Sequence, residues 1–383
     1  MRSDRALLAA VAATLLACGD AHERAPSIAT WVLDTAAVVS IGGSEDDAVE
    51  VTFERLTGAT RLPDGRLLAT DLGDAPLRRF TADGQYERSL ARAGRGPGEI
   101  IYPADLFRCG SAIFTHDIDG RRVIEWSMDE GEPLREFRFE LPAGQQAPYI
   151  SACNAKGRFA HLGWGIIARP TAGAHRDTVP VWTNVTADGA PLLLDSVPAS
   201  DRWGQTHEGR VVGTRPLPFG RQPHIAVGRH HVFIATGDTT SLHRYSFDGE
   251  RQMLTFSAAP PAAVTAADIR DLVEREVAER GASRRASLER EYASIAYPER
   301  HAAVTGLLVD VDGLVWVRRY APPDAESVEW LVLRDDGAVI ARVSVPRAFQ
   351  PFEIGSDYLL GKRVDIEAGV PLLELYRLRR GGS

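Results

Sequence analysis

The chain has 383 residues, with 44 Lys and Arg against 52 Asp and Glu, a net charge of −8 and 44% hydrophobic residues. This composition excludes a disordered chain, a collagen-like fibre and a multi-span membrane protein. The acidic balance also argues against a general nucleic-acid binder, because such proteins need a basic surface to displace counterions from phosphate. Among the basic residues 42 of the 44 are arginine, and only Lys156 and Lys362 are lysine.

The first 18 residues have the pattern of a bacterial lipoprotein leader. Two arginines precede an apolar stretch from Ala6 to Ala17, which is too short to span a bilayer. The stretch ends in Leu15-Leu16-Ala17-Cys18, which resembles the lipobox. We predict a signal peptide over 1–17, lipidation at Cys18 and a tether over 18–29, which would anchor the protein in the cell envelope, on its periplasmic or outer-surface side. An ordinary secretory leader, in which that cysteine is incidental, is the alternative.

Beyond the leader, short β-rich segments alternate with glycine turns. Four such segments follow one another between residues 58 and 99, separated by Asp64-Gly65, by a loop that opens at Asp71 and by Asp83-Gly84. Asp-Gly between two alternating segments favours a tight hairpin, because the turn needs positive φ. Four consecutive antiparallel strands are typical of one blade of a β-propeller.

Glycines in corresponding turns recur along the chain. They are Gly65, Gly110, Gly157, Gly228, Gly313 and Gly355, at intervals of 45, 47, 71, 85 and 42 residues. The short intervals indicate a repeat of about 45 residues, and the two long intervals contain insertions. Residues 199–222, rich in Gly, Pro and Arg, are predicted to form a loop. Residues 265–297 are predicted to be helical, because Thr265 can cap a helix and apolar residues follow at helical spacing.

The last unit supplies only three predicted strands before the chain ends. Residues Ala37 to Ile41, which precede two glycines, can supply the fourth and cover the edge that an open sheet would expose. We therefore predict an all-β fold: a six-bladed β-propeller over residues 30–383, closed by an N-terminal strand. The helical insertion, 265–297, would lie between blades four and five.

Several of these segments resemble those of known propeller proteins. Asp64 to Asp71, followed by Leu77 to Phe80 and then Asp83-Gly84, resembles the NHL-type propeller repeat, and Gly94 to Glu99 resembles its connector between blades. Together with the lipobox and the segment Val309 to Val317, they resemble bacterial six-bladed propeller lipoproteins. This resemblance implies a fold and leaves the activity open, because propellers host unrelated functions.

In such a fold the loops between second and third strands share one face with the connections between blades, around the mouth of a central channel. We predict ligand-binding residues at that mouth: Asp71, Glu99, His116, Asp117, His161, Asp238, Arg318, Arg319, Lys362 and Arg363. Carboxylates come from blades one and two and basic groups from blades five and six, which favours a ligand carrying both signs or a protein with a matching patch. Solvated charges that pair with their neighbours are the alternative, and for Glu99 anchoring of its own loop is favoured over a ligand contact.

The sequence contains no nucleophile motif. His116, Asp117, His161 and Asp71 can in principle meet a divalent cation, but no local spacing fixes two ligands together, so no cofactor is predicted. We predict a monomeric, non-catalytic binding scaffold for an envelope protein or a small polar ligand, which contacts the membrane through lipid alone and binds no nucleic acid. A metal-assisted lactonase or lyase that uses the same face is the alternative.

The two remaining cysteines are predicted at matching places in adjacent blades. Cys109 and Cys153 each end an innermost strand, on the face opposite the channel mouth. An exported compartment permits a disulfide between them, and two buried thiols are the alternative.

Overall fold

Short antiparallel strands make up most of the chain in the computed structural model, which describes residues 28–43, 48–138, 145–154, 157–165, 171–184, 191–364 and 369–381. The prediction of a mainly β fold is confirmed. The predicted signal peptide, Cys18 and the tether up to residue 27 lie outside the described residues. No helix in the described ranges is both long enough and apolar enough to cross a membrane.

Most strands form four-stranded units built largely from neighbours in the chain. Strand β1 (Ala29–Gly42) precedes them all. Unit 1 contains β2 (Leu56–Arg61), β3 (Leu67–Asp71), β4 (Leu77–Phe80) and β5 (Tyr86–Ala91). Unit 2 contains β6 (Pro103–Cys109), β7 (Ala112–Asp117), β8 (Arg122–Trp126) and β9 (Pro133–Phe137). Unit 3 contains β10 (Gln145–Cys153), β11 (Phe159–Gly165), β13 (Thr178–Asn184) and β14 (Leu192–Pro198), while β12 (Gly173–His175) lies in the connection between β11 and β13.

The second half of the chain continues the pattern. Unit 4 contains β17 (His224–Val227), β18 (His231–Ala235), β19 (Ser241–Ser246) and β20 (Arg251–Thr255). Unit 5 contains β21 (Gly306–Val309), β22 (Val315–Arg318), β23 (Ser327–Leu333) and β24 (Val339–Pro346). Unit 6 contains β25 (Phe349–Ile354), β26 (Tyr358–Val364) and β27 (Pro371–Arg379), with β1 as its outermost strand.

Strand β1 joins the two ends of the chain. It pairs antiparallel with β27, from Val32 opposite Arg379 to Gly42 opposite Leu372. Its first residues, from Ala29, also pair parallel with β24, so that units 5 and 6 form one eight-stranded sheet. The unit that the C-terminal strands leave incomplete is therefore filled from the N-terminal end.

The innermost strands of neighbouring units contact one another in succession. Strand β2 contacts β6, β6 contacts β10, β10 contacts β17, β17 contacts β21 and β25 contacts β2, while β1 links units 5 and 6. The succession returns to its starting point, so the sheets surround a common axis. This arrangement is β-propeller-like.

The two long insertions pack against each other. Residues 199–222 were predicted to form a loop, and this prediction is wrong: they contain a hairpin of β15 (Arg202–His207) and β16 (Arg210–Pro216), which pairs with β12. Helices α1 (Ala266–Arg280) and α2 (Arg285–Ala293) form the second insertion, and a capping box at Thr265 begins the first of them. Trp203 and Leu217 of the first insertion are buried in one cluster with apolar residues of the helices: Val273, Val277, Leu288, Tyr292 and Ile295.

Closure by β1 makes a stability prediction with an internal control. Ile41 is 3% exposed and packs against β27, whereas Val38, on the same strand, is 56% exposed. Replacing Ile41 by Asp buries a charge in an apolar cluster, so we expect Ile41→Asp to lower the free energy of unfolding by about 3 kcal/mol or more. Val38→Asp should change it by about 0.5 kcal/mol or less. Urea unfolding measures both, and equal losses would contradict the assigned register.

Candidate functional site

A central channel of about 610 Å³ runs between the innermost strands. All six units contribute to its wall, through residues such as Thr57, Asp105, Asn154, Ile225, Leu308 and Gln350. Each innermost strand begins at the end of the channel where the second strand of its unit finishes, as Gly306 opposite Arg318 and Gln350 opposite Lys362 show. We call this end the mouth.

Strand register places the predicted second-strand residues at the mouth. In unit 1 Leu56 pairs with Asp71, and in unit 2 Asp105 pairs with His116. The carboxylates there are already engaged by their own units. Asp71 is 2% exposed and accepts hydrogen bonds from the backbone N–H groups of Glu54 (3.1 Å) and Arg55 (2.7 Å).

The partner of each buried carboxylate is an arginine on the third strand. Arg78 donates to Asp71 across 2.6 Å, and both side chains are 3% exposed. In unit 2 Arg122 donates to the fully buried Asp117 across 3.3 Å, and the N–H of Tyr102 donates to the same carboxylate at 2.9 Å. Burial raises the pKa of Asp71, although the hydrogen bonds and Arg78 act in the opposite sense. In both units the carboxylate fastens the segment that leads into the innermost strand.

Two further predicted carboxylates hold loops in place, Glu99 its own loop and Asp238 two neighbouring ones. Glu99 accepts from Arg92 (2.6 Å) and from the N–H of Gly96 (2.7 Å), and these contacts lower its pKa. Asp238 accepts from Arg176 at 2.8 Å and pairs with Arg221 at 2.9 Å. Glu353, inside the channel, accepts from Thr60, from Tyr358 and from the N–H of Arg61 (3.2 Å). These acidic groups hold units and loops together.

The two predicted histidines lie close together below the mouth. His161 is fully buried, and burial, followed by the nearby His116, lowers its pKa to about 4. The His116 Nδ1 atom lies 3.5 Å from the Asp105 carboxylate. Across the described ranges no group of three His, Cys, Asp or Glu side chains is placed to hold a metal ion.

Two of the four predicted cations have internal partners. Arg319 donates to the backbone carbonyls of Ala303 and Ala259, and Arg363 pairs with Glu374 at 2.8 Å. Arg318 and Lys362 differ from them. Their nearest partners are a hydroxyl of Thr305 and the carbonyl of Leu56, both at 3.4 Å.

Arg318 and Lys362 line a second cavity of about 460 Å³ between units 5 and 6, which we call the basic pocket. Arg347 and His224 line it too, together with Trp330, Phe349 and other uncharged residues. No carboxylate lines it, and none of its three cations forms an ion pair within the described part of the chain. Leu308, Gln350 and Pro351 line both the basic pocket and the channel.

The positive charges of the basic pocket are not balanced by negative ones among the described residues. Burial and the neighbouring Arg347 lower the pKa of Arg318, while burial and Arg55 lower that of Lys362. Burial lowers the pKa of His224 to about 4, with a further contribution from Arg318, so its imidazole is neutral at pH 7. Burial and mutual repulsion thus disfavour the positive charges of the basic pocket.

Sequence reasoning did not select Arg347 and His224. Arg347 follows β24, in the connection between units 5 and 6, and His224 begins the innermost strand of unit 4. The reasoning that selected Glu99 from a connection between blades applies equally to Arg347. Nothing in the sequence distinguishes His224 from other histidines, because its role depends on which unit stands beside it.

At the end of the channel opposite the mouth, a disulfide joins two neighbouring units. Cys109, which ends β6, and Cys153, which ends β10, form a disulfide with a Cα–Cα distance of 5.7 Å. The bond connects units 2 and 3 at the end opposite the mouth. It therefore lies away from the basic pocket.

Several solved structures are similar to this chain over most of its length. A member of the DUF4221 family from Bacteroides vulgatus matches with a TM-score of 0.50 and 10% identity, over 93% of this chain and 100% of that one. A putative exported protein from Bacteroides fragilis matches with a TM-score of 0.49 and 13% identity, over 91% and 96%. Regucalcin, a calcium-binding protein from Agrobacterium tumefaciens, matches with a TM-score of 0.44 and 13% identity, over 92% and 97%.

No family model and no curated protein matches the sequence. At such identities the similarity concerns the fold alone, which is β-propeller-like. The particular chemistry of the site has to be inferred from the residues of this chain.

The disulfide makes a second stability prediction. Its ends are 44 residues apart, and closing a loop of that size restricts the unfolded chain by about 4 kcal/mol at 25 °C. We expect Cys109→Ser combined with Cys153→Ser to lower the free energy of unfolding by about 2–4 kcal/mol. A reductant should destabilise the wild-type protein and leave the double variant unaffected. A wild-type protein insensitive to reductant, at full reduction of its thiols, would contradict this role.

Proposed function

We propose that this protein is an exported, lipid-anchored six-bladed β-propeller that binds a negatively charged ligand at the mouth of its channel and does not transform it. The leader pattern that ends at Cys18 supports export and anchoring. The four-stranded units arranged around one channel, with β1 completing the last of them, support six blades.

The proposal rests on a difference between the charged groups at the mouth: the carboxylates are paired with arginines, whereas two of the cations are not paired with a carboxylate in the described part of the chain. Asp71 and Asp117 are neutralised by arginines of their own units and hold backbone N–H groups. Arg318 and Lys362 have no carboxylate partner within the described ranges and face a cavity. The sequence favoured a ligand of both signs, whereas the paired carboxylates leave a mouth that favours an anion.

The same contacts favour binding over catalysis. A general base must present a lone pair to the substrate, within hydrogen-bond reach of the proton it takes. The carboxylates of Asp71 and Asp117 already accept hydrogen bonds from three donors each. The open groups are guanidinium and ammonium groups, which bind and orient anions without moving a proton at neutral pH.

The predicted address is tested at Cys18. We expect Cys18→Ser to abolish incorporation of radiolabelled palmitate and to release the protein from the membrane fraction, because the acyl chains are the only anchor in this proposal. Cys153→Ser, which removes a cysteine of the folded domain, should retain the label. A Cys18→Ser protein that is still labelled and still sediments with membranes would contradict lipidation at that residue.

The proposed ligand binding is tested with paired charge variants. The protein is incubated with an anionic small-molecule fraction of the source cells, washed and examined by native mass spectrometry. We expect the wild type to retain a small anionic species and the double variant Arg318→Gln, Lys362→Gln to lose at least nine-tenths of it. The control Arg334→Gln, Arg342→Gln removes the same charge from exposed positions of unit 5 and should retain the species.

Two outcomes would contradict binding at the mouth: retention of nothing, or equal retention by both double variants. Conversion of the retained compound into a new species during incubation would support the enzyme alternative, a lactonase or lyase on the same face. Adding a divalent cation to that incubation tests whether such a reaction depends on metal.

A further inference from the structure

We propose that the basic pocket binds the phosphoryl group of a small phosphate monoester, whose remaining part extends into the channel. This inference rests on the proposed function and specifies its ligand class. Its first support is charge: three cations and no carboxylate line the cavity, within the part of the chain that the structure describes. A group with two negative charges compensates such a pocket better than a group with one.

The direction of the donors is the second support. Arg318 ends β22, Arg347 lies between β24 and β25, and Lys362 lies on β26. The three cations therefore reach the cavity from three separate elements. A phosphate monoester offers three terminal oxygens in a tetrahedral arrangement, whereas a carboxylate offers two oxygens in one plane, which suit a single guanidinium.

The donors have hydrogen-bonding capacity to spare. Arg347 donates Nη1 to the carbonyls of Ala321 (3.1 Å) and Pro322 (2.8 Å), which fixes its guanidinium and leaves its other N–H groups for a ligand. The contacts of Arg318 and Lys362 are long, at 3.4 Å. An incoming oxyanion thus gains short charge-assisted bonds without breaking an ion pair.

A neutral histidine supplies the third support. The Nε2 atom of His224 is buried and has no hydrogen-bond partner among the described residues. A buried polar atom without a partner costs free energy, which a ligand oxygen or hydroxyl that bonds to it recovers. Because its imidazole is uncharged at neutral pH, it adds a contact without adding to the charge of the pocket.

The neighbouring channel offers space for the organic part of the proposed ligand. Leu308, Gln350 and Pro351 line both cavities, so the two cavities are neighbours, and in our proposal the rest of a molecule held at the basic pocket lies on the channel side of these residues. Trp330 and Phe349 contribute apolar surface beside the cations. A small phosphate ester with a compact organic group fits this arrangement. Inorganic phosphate, which has no organic group, would leave the residues shared by the two cavities without a contact.

The scarcity of lysine provides a direct readout. Only Lys156 and Lys362 carry side-chain amines, so an amine-reactive reagent followed by peptide mass spectrometry reports on the pocket and on an internal reference. We expect saturating inorganic phosphate to slow labelling of Lys362 at least fivefold and to leave that of Lys156 unchanged. Acetate and succinate at equal ionic strength should not protect Lys362.

Charge variants locate the effect. Arg318→Gln should raise the apparent Kd for phosphate at least tenfold, and Arg334→Gln, at an exposed turn of the same unit, should leave it unchanged. If Arg318→Gln does not fold, Arg347→Gln in the connecting loop serves in its place with the same expectation. Protection by succinate equal to that by phosphate, equal protection of both lysines or no protection would overturn the proposal.

The source of the phosphoryl group is separated by two further probes. We expect glycerol 3-phosphate to protect Lys362 at lower concentration than phosphate, because its body adds contacts in the channel. Phosphatidylcholine vesicles containing phosphatidic acid present the same group on a lipid, and protection by them alone would overturn the small-molecule ligand. If phosphate and its esters fail while the native mass spectrometry still shows loss in the Arg318, Lys362 double variant, ligand binding at the mouth stands and only the phosphate class is wrong.

Discussion

The pairing of β1 with β27 is the contact on which the rest of the molecule depends. It fills the outermost place in unit 6 with residues from the opposite end of the chain, and so covers an edge that would otherwise expose unpaired N–H and C=O groups. The channel and the basic pocket both need unit 6 in place, because Gln350 and Lys362 belong to it. The geometry of the mouth is thus fixed by a contact between residues more than 300 positions apart.

Periodicity carried much of the fold prediction. The recurring glycines mark real turns: Gly65, Gly110, Gly157 and Gly313 all have positive φ. The capped helix that starts after Thr265 was also readable, because capping depends on neighbours in sequence. The hairpin of β15 and β16 was not, since its Gly- and Pro-rich composition resembles a loop. It is held by β12 and by burial of Trp203 against helices more than 60 residues away.

The candidate site shows where sequence reasoning ends. The predicted second-strand residues lie at one end of their units, as the pairing of Leu56 with Asp71 illustrates. Whether these residues are free to bind a ligand could not be predicted from the sequence. Whether an aspartate is free depends on the third strand, which places Arg78 beside Asp71. The charged side chains without an ion-pair partner at the mouth are those left after their neighbours have paired. Which ones these are depends on the three-dimensional register of the strands.

The two insertions make the surroundings of the mouth asymmetric. The hairpin of β15 and β16 and the helices α1 and α2 leave the chain in successive connections that lead into mouth-end residues His224 and Gly306. They share one apolar cluster, so the two insertions pack together in the connections that lead from unit 3 to unit 5. Within the described residues, units 6, 1 and 2 carry no helix or additional hairpin at that end. The surroundings of the mouth therefore differ between the side of units 3 to 5 and the side of units 6, 1 and 2, so a large partner meets two unlike surfaces even though the sheets around the channel repeat.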